Sequence, residues 1–272
     1  MNEPIGQIPE GNLCNVIGQI TVLSQLPDPQ TETLLFDGVI DIESNLDYLL
    51  DVPREQQLLV KVATVNRPIH GVLPAFLQGA YVRATGLLLI DYDGEGKPHL
   101  YLAADRVVPQ PGDPWSQQYV ERGFAKSNPD ITFTGVVTRI PVDRPDCQVY
   151  TFSLRVPRED GTTDLGWDGT YSVYDIHCAI PMTARWANSP HWIGSPLPQI
   201  GDVCQVMGEL SGLYRVGDRY SPLVRMSHFH VLQLLPPPEE EDDEMGEGED
   251  EDDVASANDD AEDGSGNLEE NS

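Results

Sequence analysis

At 272 residues the chain has room for two cores of ordinary size, and its formal net charge of −29 means that a hold on any polyanion cannot come from overall charge. It has no run of about 18 apolar residues, which excludes a membrane-spanning helix. Met1 to Gly6 lack the apolar stretch of a secretory signal peptide, so a reducing compartment, nuclear or cytoplasmic, is expected.

From the N-terminus, alternating apolar residues predict five strands: Asn15 to Leu23, Thr33 to Asp41, Leu58 to Val65, Gly79 to Ile90 and His99 to Val108. Pro27-Asp28-Pro29 breaks the first pair, and Asp93-Gly94-Glu95-Gly96 makes the last hairpin. Between the third and fourth strands, Asn66 to Gln78 carries two prolines and holds at most one helical turn. Next, Asp113-Pro114-Trp115 places a capping acid before a proline, predicting a short helix from Pro114 to Arg122. Trp115, Tyr119 and Arg122 share one face, and Gly123 is the stop.

Five more strands follow: Ile131 to Ile140, Val149 to Val156, Tyr171 to Ile180, Val203 to Leu213 and Arg219 to Leu234, with a candidate helix from Pro181 to Asn188. Beyond Pro236, the segment from Glu239 to Ser272 holds 18 acidic residues, no basic one and few large apolar ones. It cannot bury enough surface to offset its ordering entropy and is expected to be disordered.

The two halves repeat one another. Gly79 to Leu88 and Gly201 to Leu210 both open on a glycine and carry a second glycine seven residues on, and Ile17-Gly18-Gln19-Ile20 answers Thr134-Gly135-Val136-Val137. A unit of about 100 residues is a domain rather than a solenoid repeat. The order β-β-β-α-β-β, twice over, resembles tandem OB-folds, as in single-stranded DNA-binding proteins of the replication protein A type. An SH3-like or other small Greek-key barrel fits the same pattern. The fold class expected is all-β: two five-stranded OB-like barrels, over 12–110 and 131–235, with a linker at 111–130 bearing a short helix and a disordered acidic tail at 236–272.

Catalytic signatures are missing: no nucleophile elbow, no phosphate-cradling glycine loop, no H-E-x-x-H. The four cysteines (Cys14, Cys147, Cys178, Cys204) form no C-x-x-C pair and read as buried thiols. His228 with His230, and Asp175 with His177, read as ordinary strand residues rather than metal ligands. No enzyme activity, cofactor or metal is expected.

Charge and aromatic content divide the halves. Residues 1–110 carry 14 acidic and 6 basic side chains; residues 111–238 carry 13 and 10, with 14 of the 20 aromatics and all four tryptophans. OB-folds bind single strands across their central strands and the loops joining strands one to two and four to five. Period-two alternation turns Tyr150, Phe152 and Tyr174 inward and Arg155, Tyr171, Val173, Asp175 and His177 outward. Arg139 and Arg144 flank the first loop, Arg185, Trp186 and Trp192 lie before the fourth strand, and Tyr214, Arg215, Arg219 and Tyr220 make a hairpin tip. Trp186 reads as core, and Trp192 has no assigned role. The nucleic-acid-binding residues expected are therefore Arg139, Arg144, Arg155, Tyr171, Arg185, Tyr214, Arg215, Arg219 and Tyr220, with single-stranded DNA or RNA as partner. The matching hairpin of the first half, Asp91 to Lys97, is acidic and would repel phosphate, so the first half reads as a protein-interaction or oligomerisation module.

The layout also resembles bacterial and phage single-strand-binding proteins with acidic tails, which implies a tail that modulates binding or recruits partners. It lacks the terminal aromatic of those tails, ending Asn267-Leu268-Glu269-Glu270-Asn271-Ser272. The alternative reading is a protein-binding OB scaffold, or a histone-chaperone-like protein, in which the tail holds basic partners.

Overall fold

Alternation of inward apolar and outward polar side chains, giving way to continuous buried runs such as Leu87 to Ile90, makes long strands of these segments. The computed structural model describes residues 13–26, 33–44, 46, 53–65, 76–94, 96–121, 128–144, 147–157, 171–181, 197–217 and 219–233. The expectations for Pro27-Asp28-Pro29, for a helix from Pro181 to Asn188, for Arg185, Trp186 and Trp192, and for the tail fall outside these.

The first five strands are β1 (Cys14–Leu26), β2 (Thr33–Glu43), β3 (Glu55–Val65), β4 (Tyr81–Tyr92) and β5 (Pro98–Pro109). They hydrogen-bond in the order β1-β2-β3-β5-β4 and back to β1, parallel only between β3 and β5, which closes a barrel. The second set is β6 (Asp130–Val137), β7 (Val142–Arg144), β8 (Cys147–Pro157), β9 (Tyr171–Pro181), β10 (Val203–Val216) and β11 (Arg219–Gln233). It closes the same way, β6-β8-β9-β11-β10-β6, again parallel only between the third and fifth barrel strands. This is the expected pair of OB-like barrels. Most strand ends lie at or up to three residues past the predicted ones, whereas β4 starts two residues late, β6 stops at Val137 and β11 ends one residue early. Among the described residues, the three-residue β7, paired with β8, is the element the alternation missed, being too short to show a period.

The repeated glycines do the same work twice. Gly79 and Gly201 take φ of 82° and 92° at the entry to β4 and β10, a left-handed turn that a side chain would strain. Seven residues on, Gly86 and Gly208 sit at bulges where a Cβ would run into the carbonyls of Ala103 and Arg225.

Hydrogen bonding corrects the repeat in one place. Val22 exchanges backbone bonds with Gly79 and Ala80, and Val137 does so with Gly201 and Asp202, so Val137 is the counterpart of Val22. Gly135 therefore answers Ile20 rather than Gly18. The two glycines coincide in sequence and stand two residues apart in the fold, a slip that preserves which face each residue takes.

In the same register Val16 and Ile131 are counterparts, beside Gly86 and Gly208 respectively, and they pair directly where β1 meets β6. An element that pairs with its own counterpart obeys twofold symmetry, so the barrels join as an internal pseudo-dimer. Two further contacts obey the same axis. Ser172 Oγ donates to the Ile90 carbonyl at 2.6 Å, and at the related position Gln56 Oε1 accepts from Leu213 N at 2.9 Å. One continuous core runs through both barrels, from Phe36 and Val62 to Phe152 and Ile176, with Cys14 and Tyr174 at the junction. Tyr174 donates to the Leu88 carbonyl at 2.7 Å. Burial pushes the Cys14 and Cys204 thiols up to about 12, and all four cysteines are buried.

The connector forms helix α1 (Gln117–Glu121), shorter than predicted. Ser116 caps it, accepting from Tyr119 N at 3.2 Å, whereas Asp113 caps the preceding turn through Trp115 N. Of the two described members of the predicted face, Tyr119 packs as expected, stacked on Tyr81 at 5.5 Å with its hydroxyl accepting from Tyr81 N. Trp115 is 69% exposed, and Arg122 and Gly123 lie outside the described residues.

Candidate nucleic-acid interface

Strands β8 and β9 pair over their full lengths, and their outward row reads, pair by pair, Cys147 with Pro181, Val149 with Ala179, Thr151 with His177, Ser153 with Asp175, Arg155 with Val173, and Pro157 with Tyr171. Chemistry changes steadily along this row. At the Cys147 end it is apolar and covered by Leu46, from the segment that follows β2 in the first barrel. In the middle it is polar and enclosed; at the Tyr171 end it is charged and open.

The open end holds a stack. The Arg155 guanidinium carbon lies 4.0 Å from the Tyr171 ring centroid, a diagonal cross-strand pair that keeps the ring flat beside a cation. Val173, directly opposite Arg155 in the row, is exposed. Next along, Arg139 Nη2 meets Asp175 Oδ2 at 3.5 Å, and the other Asp175 oxygen accepts from Ser153 Oγ. Ser153 Oγ in turn lies 3.0 Å from Thr138 Oγ1.

The enclosed middle centres on His177. It lies on the outward row as predicted, yet only 2% of it is exposed, because the Tyr214 ring packs edge-on against it at 5.4 Å. Thr151 Oγ1 lies 3.1 Å from His177 Nδ1. Desolvation lowers the imidazole pKa to about 4, against a smaller opposing pull from Asp175, so it is neutral at pH 7. Tyr214 is held by Arg144, whose Nη2 donates to its hydroxyl at 3.0 Å. Sequence parity placed His177 and Asp175 on this face but gave them no part in it. Besides Thr151 and Ser153 on the paired strand β8, their partners are Tyr214 from β10 and Arg139 from the loop after β6, and no local pattern encodes those two contacts.

The β10–β11 hairpin does not gather its four predicted residues. Its register puts Arg215 opposite Tyr220 and Tyr214 opposite Ser221, so Tyr214 and Arg219 lie on one face of the ribbon and Arg215 and Tyr220 on the other. Arg219 faces Tyr92 of the first barrel at 5.6 Å, and the Tyr92 hydroxyl is 3.4 Å from Ser221 Oγ. Arg215 lies 5.7 Å from the Tyr220 ring and donates through Nε to the Gly217 carbonyl, which is positioned by a φ of 63°. The structure thus brings together Arg139, Arg144, Arg155, Tyr171 and Tyr214 and sets Arg215 and Tyr220 apart; Arg185 lies outside the described residues.

The first barrel offers the control. By the shared hydrogen-bond register, Arg155 and Tyr171 correspond to Asp41 and Glu55, and Asp175 to Leu59. Both acidic residues are exposed. Further along, Leu23, Leu59, Lys61, Lys97, His99 and Tyr101 line a groove of about 330 Å³. The adjoining acidic hairpin is partly spent on itself, Asp93 accepting from Lys97 N and pairing with His99 at 3.5 Å.

No protein-family model matches the sequence, and no curated protein matches it. Among solved structures, the chain is similar to the wild-type single-stranded DNA binding protein from Thermus aquaticus, with 18% identity and a TM-score of 0.46 over 83% of this chain and 95% of that one. A deletion mutant of that protein gives 19% identity and the same TM-score over 84% and 98%.

Proposed function

We propose that this is a non-enzymatic single-stranded nucleic-acid-binding protein whose ligand lies across the β8–β9 face of the second barrel. The carrying observation is the Arg155–Tyr171 stack at the open end of that face, with Arg139 and Arg144 further along it. A base laid on Tyr171 gains about 1–3 kcal/mol from stacking, and every base has a π face, so the grip is tolerant of sequence. Duplex DNA hides those faces in its own stack. With Arg139, Arg144 and Arg155 as phosphate contacts, the logarithm of affinity should fall with the logarithm of salt at a slope of about −2. The acidic segment beyond Pro238 modulates binding or recruits basic partners, and the first barrel, with Asp41 and Glu55 in place of the stack, serves protein contact or oligomerisation.

Anisotropy titrations of labelled single-stranded and duplex oligonucleotides at 50 and 200 mM salt test this, using the full chain and a version ending at Pro238. Preference for the single strand, stronger without the tail, is the expected result. Failure of both versions to bind at low salt would overturn the reading and turn attention to basic protein partners.

A further inference from the structure

Among the described outward residues of β8 and β9, Asp175 is the only carboxylate, and it stands between the Arg155–Tyr171 stack and the enclosed His177. Nothing about folding requires a charge there. Its counterpart in the first barrel is the apolar Leu59, and that barrel closes in the same register. Both Asp175 oxygens are engaged, one by Ser153 Oγ and the other by Arg139 Nη2, with the Asp175 side chain 31% exposed and Arg139 56% exposed. A phosphate approaching Arg139 therefore meets a competing anion already in place.

We infer that Asp175 is a specificity determinant that makes base stacking a condition of binding, by holding Arg139 against any polyanion that brings charge alone. The inference rests on the nucleic-acid reading proposed above. A polyanion without bases has only the arginines to hold it, and to use Arg139 it must displace the carboxylate and suffer its repulsion. A single strand draws part of its hold from the stack on Tyr171, so less of its binding depends on Arg139 and it bears less of that loss. Specificity here comes from a repulsive element set beside an attractive one. Ser153, itself placed by Thr138, fixes the carboxylate so that it cannot swing out of the phosphate path.

The test is Asp175→Asn in the full chain, which keeps an acceptor for Ser153 and removes the charge. Anisotropy competition would measure an oligothymidylate and an inorganic polyphosphate side by side, between 50 and 200 mM salt. The expected gains are about threefold for the oligonucleotide and about tenfold for polyphosphate. Placing Asp175→Asn in an Arg139→Ala background should abolish both gains. Equal gains for the two ligands, or none, with the wild-type chain still binding oligonucleotide, would overturn this inference and leave the functional reading standing. Absence of oligonucleotide binding by the wild-type chain would remove the reading itself, and this inference with it.

Discussion

At one position of one fold, the second barrel carries Arg155 and Tyr171 where the first carries Asp41 and Glu55, while the inward rows behind them stay apolar in both: Val156 and Ile176 in one, Ile42 and Val60 in the other. Both barrels retain the left-handed glycine at the entry to the fourth strand and the close-approach glycine at its bulge. Inward residues and turn glycines specify the barrel; the outward row is free to change sign. A phosphate that finds a cation beside an aromatic ring on one barrel meets two carboxylates on the other.

That contrast can be broken at several points. The largest effect belongs to what the barrels share. Gly86→Val and Gly208→Val should each destabilise the protein by more than about 3 kcal/mol in urea denaturation, and by similar amounts, because each side chain meets a backbone carbonyl that cannot move without disrupting the ladder. Next comes what they do not share. Arg155→Asp combined with Tyr171→Glu, which gives the second barrel the charges of the first, should weaken single-strand binding by about 100-fold, the loss of one stacked base and one phosphate contact. The reciprocal pair Asp41→Arg and Glu55→Tyr should strengthen it, and an unchanged affinity in both would separate the face from binding.

A third effect concerns His177, which has Lys61 as its counterpart. The folded state holds the imidazole at about 4, below its ordinary 6.5, so between those values the unfolded chain binds the extra proton. Stability from this group is complete above about pH 6.5 and is lost as pH falls towards 4. Chemical denaturation should show about 2 kcal/mol less stability at pH 5 than at pH 7 from this source, and His177→Gln should remove that part of the slope. The smallest effect is at the hairpin: Arg215→Ala should change single-strand affinity by less than about twofold, since Arg215 lies on the far face of the ribbon from Tyr214.

The barrels were legible in the sequence because long strands write their period plainly and because repeated glycines mark repeated constraints. Even there, Gly18 and Gly135 matched as letters without matching in space. Nothing in a strand's own alternation fixes how far it slides along its neighbour; the bonds from Val22 to Gly79 and Ala80, and from Val137 to Gly201 and Asp202, do so. Outward parity correctly put Arg155, Tyr171, Asp175 and His177 on one face. Parity could not say that Tyr214 would cover His177 or that Leu46 of the other barrel would close the Cys147 end. Those outcomes depend on contacts between residues 37 to 177 positions apart, which local pattern does not contain. Trp115 erred the other way: helical spacing grouped it with Tyr119, but the helix begins two residues after it, and only Tyr119 finds a partner, on Tyr81.

The most direct test of where the ligand lies is photo-cross-linking of a single-stranded oligonucleotide carrying 5-iodouracil to the full chain, followed by peptide mass spectrometry. Cross-links at Tyr171 and in the peptides of β8 and β9 are the predicted result. Cross-links concentrated instead on the Leu59, Lys61 and Tyr101 groove of the first barrel would contradict the account.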